Sequence, residues 1–306
     1  MKVIDIVLLT ADKYLDGRQQ GALVQNVRIE DGLVAEALEN EYLRIAIKSW
    51  SDPNFDWSST KYVLVRTPWD YFHRSNEFME WFEATSQKTE FINQEGLIQW
   101  NFDKNYLSNL EQKGVRIPKT YFVSQGAELT LSSAIKKAEH LFGKPCETWV
   151  LKPCVAAGAF HTYKFDASEV DLFEDTFQKM IANADFMLQE FQENIVRKGE
   201  ISLVLFGSTF SHAVLKQAKS GDFRVQDDYG GTVTLYEASQ KEIDFALKVV
   251  NACDELPCYS RVDILEDNEG ELALAELEIF EPELWFRLQP ESASLLAKTI
   301  KETYFT

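Results

Sequence analysis

The sequence predicts an open parallel α/β domain followed by two α+β units. Three observations carry this prediction. Strand-like and helix-like runs alternate over roughly the first hundred residues, the pattern changes near residue 104, and the last third is dominated by strands joined through tight turns. The expected boundaries are 1–100, 101–190 and 191–306.

In the first unit, residues 3–9 form an apolar strand and "DGLVAEALEN" a helix with one apolar face. "RIAIKSW" (44–50) and "KYVLVRTPW" (61–69) are two further strands. "SNEFMEWFEATSQK" starts a helix at Ser75, with Glu77 and Glu80 in its first turns, and "TEFINQ" is another short strand. Such alternation implies a parallel sheet. From 104, "DKNYLSNLEQKG" is a helix, "VRIPKTYFV" enters a strand, and "TLSSAIKKAEHLFG" is a helix ended by Gly143. The strand "TWVLKP", a loop of small residues and the strand "FHTYKF" follow. Ser168 with Asp171 resembles a capping box before "EVDLFEDTFQKMIANA", and "DFMLQEFQ" is a strand. The last unit has a hairpin turning at Gly207-Ser208 and another at "NEG" (268–270), with two helices, "SQKEIDFALKVVNACDEL" and "ESASLLAKTIKET".

Composition narrows the function. With 45% hydrophobic and 26% charged residues, the chain has the make-up of an ordinary globular protein. A net charge of −18, with no Lys/Arg-rich run, argues against nucleic acid or an anionic membrane as partner. "MKVIDIVLLT" reads as a first strand, not a signal peptide, and no apolar run is long enough for a membrane helix. Four cysteines without paired spacing are expected to be reduced, which fits a cytoplasmic enzyme.

"CYSRVDILEDNEGELALAELEIFEP" carries the most chemistry. It reads as an antiparallel hairpin with Asp263 on one arm and Glu276 and Glu278 on the other. Residues i and i+2 of a strand share a face, so the two glutamates point together, with Ala275, Leu277 and Ile279 opposite. Carboxylates crowded on an apolar strand repel and resist burial; a hard divalent cation resolves that conflict, and the set suits Mg²⁺. Arg261, two residues before Asp263, shares its face and implies an anion held by cation and metal together, such as a polyphosphate. "LKQAKSGDFRVQDDYGG" adds Lys216, Lys219 and Arg224, and Gly230-Gly231 could bring backbone N–H groups close to an anion. Lys152 ends an apolar run and needs a fixed anion, while the light "CVAAGAF" loop after it can close over phosphates. GxxxxGK[ST] and GxGxxG are both absent.

Taken in order, "NFDKNYLSNLEQKGVRIPKTYFV", "WVLKPCVAAGAFHTYKF", "FMLQEFQENIVRKGEISLVLFG", "HAVLKQAKSGDFRVQDDYGG", "SRVDILED" and "LAELEIFEP" resemble the ATP-grasp superfamily, in its glutathione-synthetase-like branch. The resemblance implies ATP held between two α+β subdomains, a lid unit (101–190) and a metal-bearing unit (191–306), behind a substrate-binding pre-ATP-grasp domain (1–100). It implies that Lys104 and Lys152 meet ATP, that Gln189, Glu190 and Phe191 present edge groups to adenine, and that Glu200 (or Glu193) takes the ribose hydroxyls. Lys216, Arg224 and Arg261 would surround the γ-phosphate and acyl group, Arg224 and Arg261 acting in catalysis. Asp263, Glu276 and Glu278 would hold two Mg²⁺, with Mn²⁺ an acceptable replacement. Two features depart from the family pattern: the loop after Lys152 has the single glycine Gly158, and Glu278 stands where Asn is usual.

The implied reaction is ATP-dependent activation of a carboxylate as an acyl phosphate, followed by attack of an amine-type nucleophile. In the first unit, "VLVRTPWDYFHR" puts Arg66 in place for a substrate carboxylate and Asp70 for an ammonium group, with Gly230 and Gly231 also on the substrate side. "RTPWDY", "GDFRVQ" and "ELEIFEP" are similar at motif level to the ATP-grasp cyclase that closes the D-cycloserine ring. The expected substrate is a small amino-acid-like molecule, and a homodimer is compatible with the family. An amino-acid ligase acting on a peptide or protein end, and a nucleotide-binding regulator without turnover, stay open as alternatives.

Overall fold

The structure is a computed structural model that describes residues 2–15, 18–155, 161–219 and 230–305. Three sheets organise it. The first contains β1 (Ile4–Thr10), β2 (Ile45–Ser49), β3 (Thr60–Thr67) and β4 (Glu90–Ile92), in the order β2-β1-β3-β4 and parallel throughout. Burial on both faces explains the nearly continuous apolar run of β1. Helices α1 (Ala22–Asn40), α2 (Ser75–Ser86) and α3 (Glu95–Phe102) belong to this part of the chain. α1 begins nine residues before the predicted "DGLVAEALEN" segment, and α3 replaces a predicted connection.

α4 (Tyr106–Gln112) precedes the second sheet: β5 (Thr120–Val123), β6 (Thr148–Pro153), β7 (Tyr163–Asp166) and β8 (Phe186–Glu190), antiparallel in the order β5-β8-β6-β7. α5 (Leu131–Phe142) and α6 (Val170–Ile181) bury Ala134, Ala138, Phe177 and Ile181 against Trp149, Leu151 and Leu188 of this sheet. Gly143 ends α5 with φ 72°, as its position suggested. The capping box before α6 is corrected by two residues. Asp166 and Glu169 form it around a 3-10 turn, in place of Ser168 and Asp171.

After α7 (Asn194–Lys198), the third sheet holds β9 (Glu200–Phe206), β10 (Thr209–Gln217), β11 (Thr232–Tyr236), β12 (Tyr259–Glu266) and β13 (Leu272–Glu278). It is antiparallel in the order β11-β10-β9-β12-β13. α8 (Gln240–Asn251) covers one face, and α9 (Ser292–Tyr304) packs between α1 and the other. One apolar cluster therefore joins Ile6 and Leu64 of the first sheet to Val204, Val214 and Leu296. Among the described residues no helix is long and apolar enough to cross a membrane.

The turn into β9 is tight. Gly199 has φ 86°, and a Cβ there would run into the backbone carbonyl of Lys216 on β10. Gly199→Ala is expected to lose about 1–3 kcal/mol. A thermal melt checks it, and an unchanged melting temperature would refute it.

Candidate active site

The carboxylate-bearing strand is aimed by a register shift. β12 and β13 pair Arg261 with Glu278, Val262 with Leu277 and Asp263 with Glu276, but Ile264 pairs with Leu274, so Ala275 is an extra residue. This bulge corrects the expected alternation. Leu274 stays in the core, Glu276 and Glu278 turn to the face of Asp263, and Ala275 joins them on the cleft wall. β13 is an edge strand, and its outward backbone groups would be left unpaired without help. Tyr106 OH accepts from Leu277 N at 2.8 Å, Asn101 bonds both Leu277 O and Ile279 N, and Asn93 donates to Ile279 O at 2.8 Å. Side chains from three separate segments thus hold the strand that carries the glutamates.

These residues line a cleft of about 450 Å³, a size typical of small-molecule sites. Lys104, Lys152, Gln189, Glu190, Phe191, Glu200, Lys216, Arg261, Asp263, Glu276 and Glu278 all border it. Eleven positions chosen from sequence therefore share one cavity. Arg261 grips Asp263 with two nitrogens, at 2.9 and 2.8 Å, and also pairs with Glu278. Lys216 Nζ lies 2.9 Å from Asp263 and also pairs with Glu200; Lys104 Nζ lies 2.9 Å from Glu276. Glu190 accepts from Lys144 at 2.8 Å, Gln189 donates to Thr120 at 2.6 Å, and Lys164 Nζ sits 3.8 Å from the centre of the Phe191 ring.

The charges do not balance evenly. Burial pushes the Asp263 carboxyl up, but Arg261 and Lys216 overcome it and hold the group below the usual range. Glu276 likewise ends low, because Lys104 outweighs burial. Glu278 goes the other way: burial, with Glu276, Glu281 and Asp263 as like-charged neighbours, lifts it well above the usual range despite Arg261. Burial pushes the Lys152 ammonium below the usual lysine range, with Glu276 opposing and Lys104 adding to the shift. Among the described residues Lys152 makes no ion pair, so an incoming anion would find it uncommitted.

The donor set fits a hard cation. Asp263, Glu276 and Glu278 each offer a carboxylate oxygen, and these atoms lie within 4.8 Å of one another. Burial and the like-charged Glu276, Glu281 and Asp263 oppose a charge on Glu278, an opposition that a bound cation would relieve.

Other expectations fare differently. Arg224 and Gly158 lie outside the described residues, as does most of the light loop after Lys152. Gly230 and Gly231 stand just before β11 and are not on the cleft wall. Glu193 pairs with Arg197 on the surface. Arg66 is a correction: it is 1% exposed, lies 3.3 Å from Asp31 and 3.9 Å from Glu30, and so has no free face for a substrate carboxylate. Asp70 is also placed elsewhere, accepting from Trp50 Nε1 at 2.7 Å and lying 3.5 Å from Arg74. Its neighbours Trp69 and Tyr71 do line the cleft, where both donate to Glu281. Glu281 was missed because it follows the strand, where no periodicity marks it; "FEP" after two aligned glutamates was the only signal.

Residues 106–279 match the RimK-like ATP-grasp domain, and residues 6–93 match the N-terminal domain of D-cycloserine synthetase DcsG. The cycloserine biosynthesis protein DcsG of Streptomyces lavendulae is 26% identical over 280 residues, covering 87% of this chain and 91% of that protein. The crystal structure of D-cycloserine synthetase DcsG superposes with a TM-score of 0.84 at 23% identity, over 97% of this chain and 98% of that one. D-alanine–D-alanine ligase from Bacillus anthracis gives a TM-score of 0.63 at 13% identity, over 98% and 97% of the two chains. With a family match spanning more than half of its length, the chain belongs to the RimK-like ATP-grasp family and has the fold of its ATP-dependent ligases.

Proposed function

We propose that the protein is an ATP- and Mg²⁺-dependent ligase or cyclase acting on a small amino-acid-like substrate. One observation carries the reading: Lys104, Lys152, Lys216 and Arg261 converge with Asp263, Glu276 and Glu278 in a single cleft, against aromatic residues carried by the loop after β3. A polyphosphate and a carboxylate brought together need such a mixture, because their mutual repulsion must be offset. A substrate carboxylate oxygen attacks the γ-phosphorus and the bond to the ADP oxygen breaks, leaving an acyl phosphate. An amine nitrogen then attacks the acyl carbon, phosphate departs with the C–O bond's electrons, and the nitrogen loses a proton.

Lys104 and Lys152 neutralise phosphate oxygens, Arg261 and Lys216 hold the anionic groups in register, and Gln189 to Phe191 border the place for the adenine edge. Asp263, Glu276 and Glu278 would hold Mg²⁺, which would supply further charge neutralisation on the phosphates.

ADP formation from Mg-ATP, measured across amino acids, dipeptides and ureido-amino acids with product masses read alongside, tests this. Turnover with one compound is expected, and its product mass separates ligation from ring closure. No Mg-dependent ATP binding would end the reading. Lys152→Met is expected to raise KM for ATP roughly 10- to 100-fold, the worth of one charge-assisted contact, while the melting temperature holds. An unchanged KM would remove Lys152 from the phosphate site.

A further inference from the structure

We infer that Glu281 receives a cationic amine of the substrate, in a pocket walled by Trp69, Tyr71 and Phe72. This rests on the ligase reading above and adds to it the group that the substrate must carry.

Glu281 lies three residues beyond Glu278, where the chain leaves β13 and meets the loop after β3. Trp69 Nε1 donates to its Oε2 at 3.0 Å and Tyr71 OH to its Oε1 at 2.8 Å. Trp69 Nε1 also lies 3.1 Å from the Glu281 carbonyl oxygen, so both backbone and side chain of the glutamate are held. Both donors are neutral. Every other acidic residue on the cleft wall has a lysine or arginine partner: Glu190 has Lys144, Glu200 has Lys216, Glu276 has Lys104, Asp263 and Glu278 share Arg261, and Glu283 has Arg287. Among the described residues Glu281 alone in this set makes no ion pair.

A carboxylate fixed by two neutral donors, with no ion pair of its own, is poised for a cation. Burial in particular pushes its pKa up to about 7, against the pull of Tyr71, Arg261 and Trp69. A metal ion is the poorer occupant, because the oxygens close enough to share one belong to Asp263, Glu276 and Glu278 and leave Glu281 out. An ammonium needs just one carboxylate, and the aromatic residues beside Glu281 leave few polar groups to compete for it. The role expected of Asp70 thus passes to a residue held by that aspartate's two flanking neighbours in the "PWDY" segment.

The test compares amines with their hydroxy counterparts, D-alanine against D-lactate and D-serine against D-glycerate, together with whichever compound proves to be turned over. Wild type is expected to prefer the amine by at least roughly 30-fold in kcat/KM, and Glu281→Gln to erase most of that preference through KM, with kcat and the KM for ATP little changed. Tyr71→Phe, which removes one donor and keeps the carboxylate, is expected to give an intermediate preference. A large fall in kcat at constant KM would overturn the inference, since Glu281 would then act on the reacting nitrogen. Binding separates this from failure of the ligase reading. With Mg-ADP present, saturating amine should raise the wild-type melting temperature more than its hydroxy counterpart and should not do so in Glu281→Gln. Equal shifts in wild type would overturn the inference even if ADP formation were intact.

Discussion

Replacing Glu276 by glutamine is expected to lower ADP formation by about a thousandfold or more, because charge neutralisation at a transferring phosphoryl group is worth several kcal/mol and each 1.36 kcal/mol is a factor of ten. The substitution keeps the shape of the side chain and removes its charge. It also takes away a partner of Lys104, whose ammonium lies 2.9 Å from Glu276 and whose pKa is held up by that carboxylate against burial. Two effects therefore overlap, and a magnesium titration separates them. Glu276→Gln should raise the Mg²⁺ concentration needed for half-maximal activity, whereas Lys104→Met should raise KM for ATP and leave the Mg²⁺ requirement alone. Asp263→Asn should be as inactive as Glu276→Gln and less stable. Asp263 is 1% exposed and answers both Arg261 and Lys216, so the change leaves Arg261 with Glu278 and Lys216 with Glu200 and removes the carboxylate that the two buried cations share. ATP consumption that persisted at wild-type rate in Glu276→Gln would show that these carboxylates are not the metal site.

Why this cluster was legible, when other parts of the cleft were not, follows from how local each signal is. Arg261, Asp263, Glu276 and Glu278 sit on strands whose side chains alternate, so "SRVDILED" and "LAELEIF" display their shared face without help from the rest of the chain. Alternation also predicted the wrong place for Ala275, since a bulge depends on the partner strand and leaves no mark on its own sequence. The side chains that hold β13 come from elsewhere: Asn93 follows β4, Asn101 lies in α3 and Tyr106 in α4. Each reads as an ordinary polar or aromatic residue until the fold brings it to the strand edge. Glu281 belongs to the same class, because its meaning comes from Trp69 and Tyr71, more than 200 residues away in sequence. Arg66 was misread for the same reason. The end of a parallel strand is where ligands bind in open α/β sheets, which favoured a substrate role. The acidic residues that claim it, Glu30 and Asp31, stand on α1 at the start of the expected helix, and nothing local in the sequence pairs them with a residue 35 positions on.

Replacing Arg66 by methionine is expected to cost about 3–5 kcal/mol of stability, the usual penalty for removing one partner of a buried ion pair. In a chain of this size that amounts to roughly 5 to 10 °C in melting temperature or more. The guanidinium lies 3.3 Å from Asp31, 3.9 Å from Glu30 and 3.4 Å from the Pro282 carbonyl, and Arg287 reaches the same Glu30 at 2.5 Å. The network therefore ties α1 to the segment between β13 and α9, which also carries Glu281. Burial already lifts Asp31 above the usual carboxylate range, with Arg66 and Thr67 pulling the other way. Without the guanidinium the upward push is less opposed, so the folded state holds a proton at pH values where the unfolded aspartate has lost it. A group raised in the folded state favours folding as pH falls toward its unfolded value, so the deficit of Arg66→Met should be smaller at pH 5 than at pH 7.5. Adding Asp31→Asn to Arg66→Met should cost less than the sum of the two single changes, because the stranded charge is gone. Were Arg66 instead a substrate ligand, the variant would melt like wild type at both pH values and fail only in KM for the substrate. The side chain's burial and its two acidic partners predict the opposite: a less stable protein that still binds ATP.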